Sequence, residues 1–487
     1  MAKAGKSISM SMMAMMIIVS ILSVRGFASQ AEYGYTSIFY YLFAAIVFLI
    51  PYSLVCAELA STWTGSGGVF RWVSEGLGPR WGWTAIYLDW MMIVIWLPAV
   101  LMFVGNALAF IGGSNSLADN KLFAIIVLLT VYWGATFITF RGIHNADKLS
   151  TAGGWVGTLI PIGILIVLGI VYLCTGNPNH IPPTSFWPDF SHWSNIVLAA
   201  SIFLFFAGTE LQAVHIRHMN NPRKQFPVSV LVSTAVILIC FIGGTLAIGF
   251  VIPQDEIGLL ASLFTAFHKL WNNVGLPWFG NAMALFIAIG TLAQISVNIS
   301  GPSTGLLAVG RAGYLPPLFQ RVNRHDVQVP ILWVQGAIVT VLGVVLLVLP
   351  SVQSSYQILS QMSTIMYLFM ILMVYASFVV LRYVQPDKPR GFKVPGGKIG
   401  MWTVAVIGSL GSFLALSICF LPPSQIEIGD SITYILILAG CVVLFTALPF
   451  IVYSRRKTSW KDPNSTFEPF DWQMEGRKPW QKTKSSR

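Results

Sequence analysis

Charge is scarce in this chain. Only 10% of its 487 residues are charged, against roughly a quarter in soluble globular proteins. Apolar residues make up 55%. A soluble fold of this length could not hide so much apolar surface, because single cores stop growing near ~250–300 residues. The surroundings must therefore be lipid. Cysteine is scarce as well. Cys56, Cys174, Cys240, Cys419 and Cys441 lie in or beside apolar runs, with no metal-like spacing. They read as small hydrophobes, and neither a disulfide nor a metal site is expected. A β-barrel would alternate apolar and polar residues, whereas 123–132 and 159–173 are continuously apolar. Gly65-Ser66-Gly67-Gly68 and Gly301-Pro302-Ser303 lack the Lys-Ser/Thr ending of a P-loop, which argues against an ATP-driven pump. There is no His-Glu-x-x-His and no Ser/His or Asp pair at membrane depth, so neither an enzyme nor a cofactor is expected.

What the chain holds in quantity is runs of about 20 apolar residues, the length that crosses a bilayer. Twelve spans are expected: 8–30, 37–59, 83–111, 121–140, 151–174, 195–216, 228–251, 279–300, 331–349, 356–382, 401–421 and 431–453. The first reads as a retained helix, since Arg25, Gly26 and Glu32 stand where a cleavage site would need small residues. The fold class expected is an all-α polytopic membrane protein. The formal net charge of +11 reads as topology, not as a nucleic-acid footprint. With the N-terminus placed in the cytoplasm, all 29 Lys and Arg except Lys121, Lys269 and Arg25 fall on that side. Such asymmetry predicts an even number of spans in an inner-type cell membrane, both termini cytoplasmic. The lipid bilayer is the expected partner, nucleic acid is not, and monomer and homodimer both remain open.

Charges inside the hydrocarbon cost about 2.5–3.5 kcal/mol each on insertion scales. Arg25, Asp89 and Glu210 survive the span assignment, whereas Glu58 falls at a span end, solvated or structural. Asp89 fits either a functional role or a structural pair with a loop arginine. Arg25 and Glu210 lie at the same depth in spans 1 and 6. Each sits in a weak helical stretch: Ser23-Val24-Arg25-Gly26-Phe27-Ala28-Ser29 and Phe206-Ala207-Gly208-Thr209-Glu210. Gly, Ser and β-branched residues favour a break there. Matching interruptions in two halves point to a transporter site between inverted repeats. The units expected are 1–174 and 195–382, each of five helices, then 401–453 with two additional helices and a basic, aromatic tail at 454–487. Backbone freed at mid-membrane must line a cavity or bind something. Half-helix N-termini suit a carboxylate and C-termini an ammonium group, and an α-amino acid presents both. Arg25 and Glu210 could instead pair with each other.

Several stretches resemble a known group. They are Gly67-Gly68-Val69-Phe70-Arg71-Trp72-Val73-Ser74 with Leu77-Gly78-Pro79-Arg80-Trp81-Gly82, then Phe186-Trp187-Pro188-Asp189-Phe190-Ser191, Gly208-Thr209-Glu210 and Met219-Asn220-Asn221-Pro222. Gly301-Pro302-Ser303, Phe392-Lys393-Val394-Pro395-Gly396-Gly397-Lys398 and Phe420-Leu421-Pro422-Pro423 follow. The chain resembles the amino acid–polyamine–organocation (APC) superfamily, and within it the bacterial glutamate/GABA antiporters, over nearly its whole length. The resemblance implies a LeuT-like 5+5 inverted repeat with discontinuous helices 1 and 6, plus two helices. It implies alternating access and exchange of an amino acid for its decarboxylation product or another amino acid. Glu210 falls on the family's acidic residue beside the substrate, and Tyr367 on an aromatic lining the pathway. The site residues expected are Arg25, Gly26, Phe27, Ala28, Trp96, Gly208, Thr209, Glu210 and Tyr367.

There are departures. Where the best-known exchanger of the group is aromatic in the first break, this chain has Arg25-Gly26-Phe27. An arginine there favours a substrate with an extra carboxylate, or else neutralises Glu210 beside a neutral substrate. Sodium would need several oxygen ligands, and Ser296 and Ser300 do not decide the matter. No lysine stands at mid-membrane in span 5, and exchange or proton coupling without sodium is the expectation. His215 and His218 are spaced for a metal but lack further ligands. With Asp89 they are candidates for gating or pH sensing. In the tail, Arg455-Arg456-Lys457 suits anionic lipid, while the resemblance implies a plug for the cytoplasmic mouth. A proton-coupled symporter and a transporter-like nutrient receptor are the competing functions.

Overall fold

A computed structural model describes residues 8–482 apart from 66, 114, 142–152, 184, 192, 214–218, 346–348, 350, 425–429, 462–464 and 466. Among these residues the regular elements are helices, and the sole β contact is an isolated bridge between Ile8 and Met219. Ten helices are long and apolar enough to cross a bilayer, and one bent pair makes eleven. The twelfth expected span, the ninth in order, appears as a 17-residue apolar helix, with 346–348 beyond it outside the described residues.

Span 1 is α1 (Met10–Ile21), a 3₁₀ turn (Val24–Gly26) and α2 (Phe27–Ala31). Span 2 is α3 (Thr36–Ala44), a π turn (Ala45–Leu49) and α4 (Ile50–Thr62). The short α5 (Val69–Leu77) leads to α6 (Pro79–Ile111), α7 (Lys121–Phe140) and α8 (Ile160–Cys174), the last entered through a π turn at Trp155–Leu159. Span 6 is a 3₁₀ stretch (Trp193–Ala200), α9 (Ser201–Phe205) and α10 (Thr209–Ala213). Then come α11 (Pro222–Val251), α12 (Ser262–Asn273), α13 (Trp278–Arg311), α14 (Val329–Val345), α15 (Val352–Val384), α16 (Gly397–Cys419) and α17 (Ser431–Ser454), and in the tail α18 (Asp471–Met474).

Local chemistry explains several boundaries. Ser9, Asn120 and Asp430 cap α1, α7 and α17 by accepting N–H groups of the first turn, and Ser351 with Ser354 forms a capping box at α15. Both π turns run up to a proline, Pro51 and Pro161. Proline has no N–H for the preceding turn and crowds its carbonyl, and a widened turn absorbs the mismatch. The helix α12 lay in an expected loop. It buries Leu263, Phe264, Phe267 and Leu270 but leaves Lys269 out, so it is amphipathic and too short to span.

Small residues set the closest crossings. A Cβ on Gly157 would stand 2.3 Å from Gly290 Cα, so spans 5 and 8 meet backbone to backbone. Lipid gives no hydrophobic push between helices, and such approaches supply the contact instead. The outer sides of α16 and α17 present Leu410, Phe413, Leu436 and Val443. The end of the bundle carrying α5 and the tail is its tail face.

Candidate functional site

The two interruptions expected in spans 1 and 6 are present and touch. In span 1, α1 ends at Ile21, Leu22 and Ser23 are extended, and the axis bends by 47°. The Ser23 hydroxyl accepts the Arg25 N–H at 3.4 Å. In span 6, α9 ends at Phe205, and Gly208 has φ +119°, a conformation that favours glycine. A side chain on Gly208 would meet the Ser20 carbonyl at 3.2 Å, and one on Gly26 would lie 2.5 Å from the Phe205 ring. Each break is thus packed against the other, which is why glycine stands at both.

The charged groups diverge from this contact. Arg25 is 8% exposed. It donates to Gln294 Oε1 at 2.9 Å, and its guanidinium lies 4.8 Å over the Trp96 ring. Among the described residues no carboxylate is within ion-pair distance of it, so Arg25 and Glu210 do not pair. Glu210 Oε2 accepts the Tyr367 hydroxyl at 3.2 Å and the Gly208 N–H at 3.4 Å. No cation reaches it among the described residues.

Two cavities meet at Glu210. The smaller, about 110 Å³, is walled by Arg25, Trp96, Gly208 and Glu210 with the neutral polar groups of Ser23, Gln294, Asn298, Tyr356 and Ser360. The larger, about 440 Å³, runs past Asp89 to Gly67, Arg311 and Phe467 at the tail face. Gly26, Phe27, Ala28, Thr209 and Tyr367 are not in either wall. Phe27 turns back onto α11, edge-on to Phe241 at 5.5 Å and filling the space over Gly244. Tyr367 acts on the cavity through Glu210, and the Thr209 hydroxyl is buried without a partner among the described residues. His215 and His218 lie outside the described residues. Gln294, Asn298, Tyr356 and Ser360 were not among the residues expected at the site. Gln294 and Asn298 stand four apart in the apolar α13, on one helix face, a signal that could have found them.

The tail contributes Phe467 to the far end of the larger cavity. Arg71 on α5 donates to the carbonyls of Glu468 and Pro469 at 2.7 and 2.9 Å and lies over the rings of Phe467 and Phe470. Asp471 pairs with Lys388 and accepts the Trp63 indole N–H at 3.1 Å. Glu75 accepts the Asp471 N–H at 3.1 Å, and the Trp472 indole donates to the Ser74 carbonyl at 3.2 Å. Burial first, and the Asp471 charge second, push the Glu75 carboxyl up to about 7. Nearby, Glu58 is fully buried. It is gripped by Arg382 and Arg390, each at 2.5 Å, and by the Val394 N–H at 2.7 Å.

Helices long and apolar enough to cross a bilayer, packed around two touching breaks, with Arg25 and Glu210 in one cavity wall and without an ionic partner among the described residues, fit a membrane transport protein. A profile of the amino acid permease family matches residues 8–445. The chain belongs to that family, within the APC superfamily of transporters, and is not an enzyme. It is similar to an uncharacterized transporter of Legionella pneumophila, 35% identical over 438 residues that cover 90% of this chain and 94% of the relative. It is also similar to a glutamate/gamma-aminobutyrate antiporter of Lactococcus lactis, 33% identical over 89% of this chain and 87% of the relative. A probable agmatine/putrescine antiporter of the same species is 23% identical over 78% of this chain.

Proposed function

We propose that the chain is an amino acid antiporter of the inner membrane, of glutamate/GABA type. On this reading it exchanges an acidic amino acid for an amine-bearing product or another amino acid by alternating access. The observation that carries the reading is Arg25: a guanidinium at a mid-membrane break, facing a cavity, with the neutral Gln294 and Trp96 as its partners among the described residues. Such a charge is costly unless an anion reaches it. Glu210, in the same cavity wall, carries the opposite charge and also lacks an ionic partner among the described residues. A zwitterion with a second carboxylate satisfies both. Its ammonium group goes to Glu210 and a carboxylate to Arg25, with Gln294, Asn298 and Ser360 as neutral donors and acceptors. The names of the Lactococcus relatives support the exchange mode.

The broken spans head two five-helix units, 1–174 and 195–382, related as inverted repeats that rock about the site. Both termini lie in the cytoplasm, which makes the tail face the cytoplasmic face. The tail is the plug of that mouth, with Phe467 in the cavity wall. The deciding experiment uses the purified chain in proteoliposomes with labelled glutamate, preloaded or empty. Exchange requires preloading with glutamate or GABA. Uptake into empty vesicles driven by a proton gradient contradicts exchange and identifies a symporter; binding without flux identifies a receptor.

A further inference from the structure

Asp89 lies outside the cavity wall that Arg25 and Glu210 share. It stands on α6 about 15 Å along the helix from Pro79, at 1.5 Å per residue. It is 8% exposed, and among the described residues no hydrogen bond or ion pair reaches its carboxylate. It lines the larger cavity, whose other charged groups are Glu210 at the inner end and Arg311 toward the tail face. The wall toward Arg311 is mostly apolar, with Trp72, Ile86 and Leu307. Ile86 closes on Gly305, where an added Cβ would stand 2.7 Å from its Cδ1, so α6 and α13 press together one turn from Asp89. Anything moving between Glu210 and Phe467 travels along this wall.

A carboxylate left without a partner in such a place is costly, and ionisable groups at membrane depth mark ligand routes. Resting on the exchange reading, we propose that Asp89 is a second station for the substrate's ammonium group, on the route between Glu210 and the tail face. Glu210 holds the ammonium at the level of the breaks. Asp89 receives it when the site opens toward the tail face, and no bond is made or broken in the transfer. Two carboxylates in sequence let the cation leave one without losing all charge compensation, while Arg25 is too deep to follow. The station serves one face alone: the smaller cavity, which reaches Arg25, does not include Asp89.

The test is sided kinetics on the full chain in proteoliposomes of known orientation. Labelled glutamate and GABA are varied at one face with the other face saturated. Removing a charge-assisted bond changes affinity by about tenfold. Asp89→Asn is therefore expected to raise KM about tenfold at the tail face and leave KM at the opposite face within about twofold. Asp89→Glu, which keeps the charge, restores most of the tail-face affinity and guards against a variant that merely misfolds. Equal KM changes at both faces, or none at either, overturn the proposal. So does a shifted pH profile with unchanged KM, which would make Asp89 a proton site. Failure of the exchange reading is separable: the unsubstituted chain would then show no preload-dependent flux at all.

Discussion

The centre of the bundle and its tail face carry charge in opposite ways. At the tail face every buried charge just described has an ionic partner. Glu58 holds two arginines, Arg71 pairs with Glu75 at 3.0 Å, and Lys388 pairs with Asp471 of the tail. At the centre, Arg25, Glu210 and Asp89 face cavities with, among the described residues, neutral partners or none. Desolvating an ion is expensive in both places. Paired charges meet that cost permanently and hold elements together. Charges without ionic partners meet it only when a ligand arrives, which is what a transport site needs.

The sharpest way to break this contrast is to remove a partner where pairing is structural. Glu58→Gln leaves Arg382 and Arg390 buried without a counter-charge. The expected loss is about 3–5 kcal/mol, seen as a collapse of monodisperse protein or of the melting temperature in detergent. Normal stability would show that the network is not holding α4 to α15. Glu210→Gln is the converse case. Exchange should fall about hundredfold with the melting temperature unchanged, because no ionic partner is orphaned; retained flux would remove Glu210 from the site. A smaller effect is expected from deleting 460–487. Opening the mouth beside Phe467 should raise exchange severalfold at neutral pH, and an unaltered rate-against-pH profile would argue against a plug.

The smallest effect concerns Glu75, under the tail. Its carboxyl is held up at about 7, so the docked state takes up a proton more readily than a free carboxylate would. The sign follows from proton linkage: its contribution to docking is complete below the ordinary carboxylate range and is lost as pH rises toward 7. Limited proteolysis should therefore cut the tail more slowly at about pH 5 than at about pH 8, and Glu75→Gln should flatten the difference. Faster cutting at the acid end would reverse the assignment.

Much of this was legible before any coordinates. Glycine beside a charge at equal depth in spans 1 and 6 located both breaks, and Arg25, Asp89 and Glu210 stood out because charge is rare in apolar runs. Other features depended on contacts far apart in the chain. Glu58 read as solvated or structural because its partners Arg382 and Arg390 lie more than 300 residues away. Phe27 read as part of the site, yet it faces α11, because the 47° bend in span 1 turns α2 off the line of α1. Gln294 reaches Arg25 across 269 residues. Local pattern reports where a helix fails, while the partner of a buried group is set by packing.

Arg25 lacks an ionic partner among the described residues so that the substrate can be one. The most direct measurement is preload-driven glutamate exchange by Arg25→Gln, with the melting temperature taken on the same preparation. A drop of about hundredfold in kcat/KM at unchanged stability is the expected result. Exchange at the unsubstituted rate, or a loss explained by unfolding alone, would contradict it.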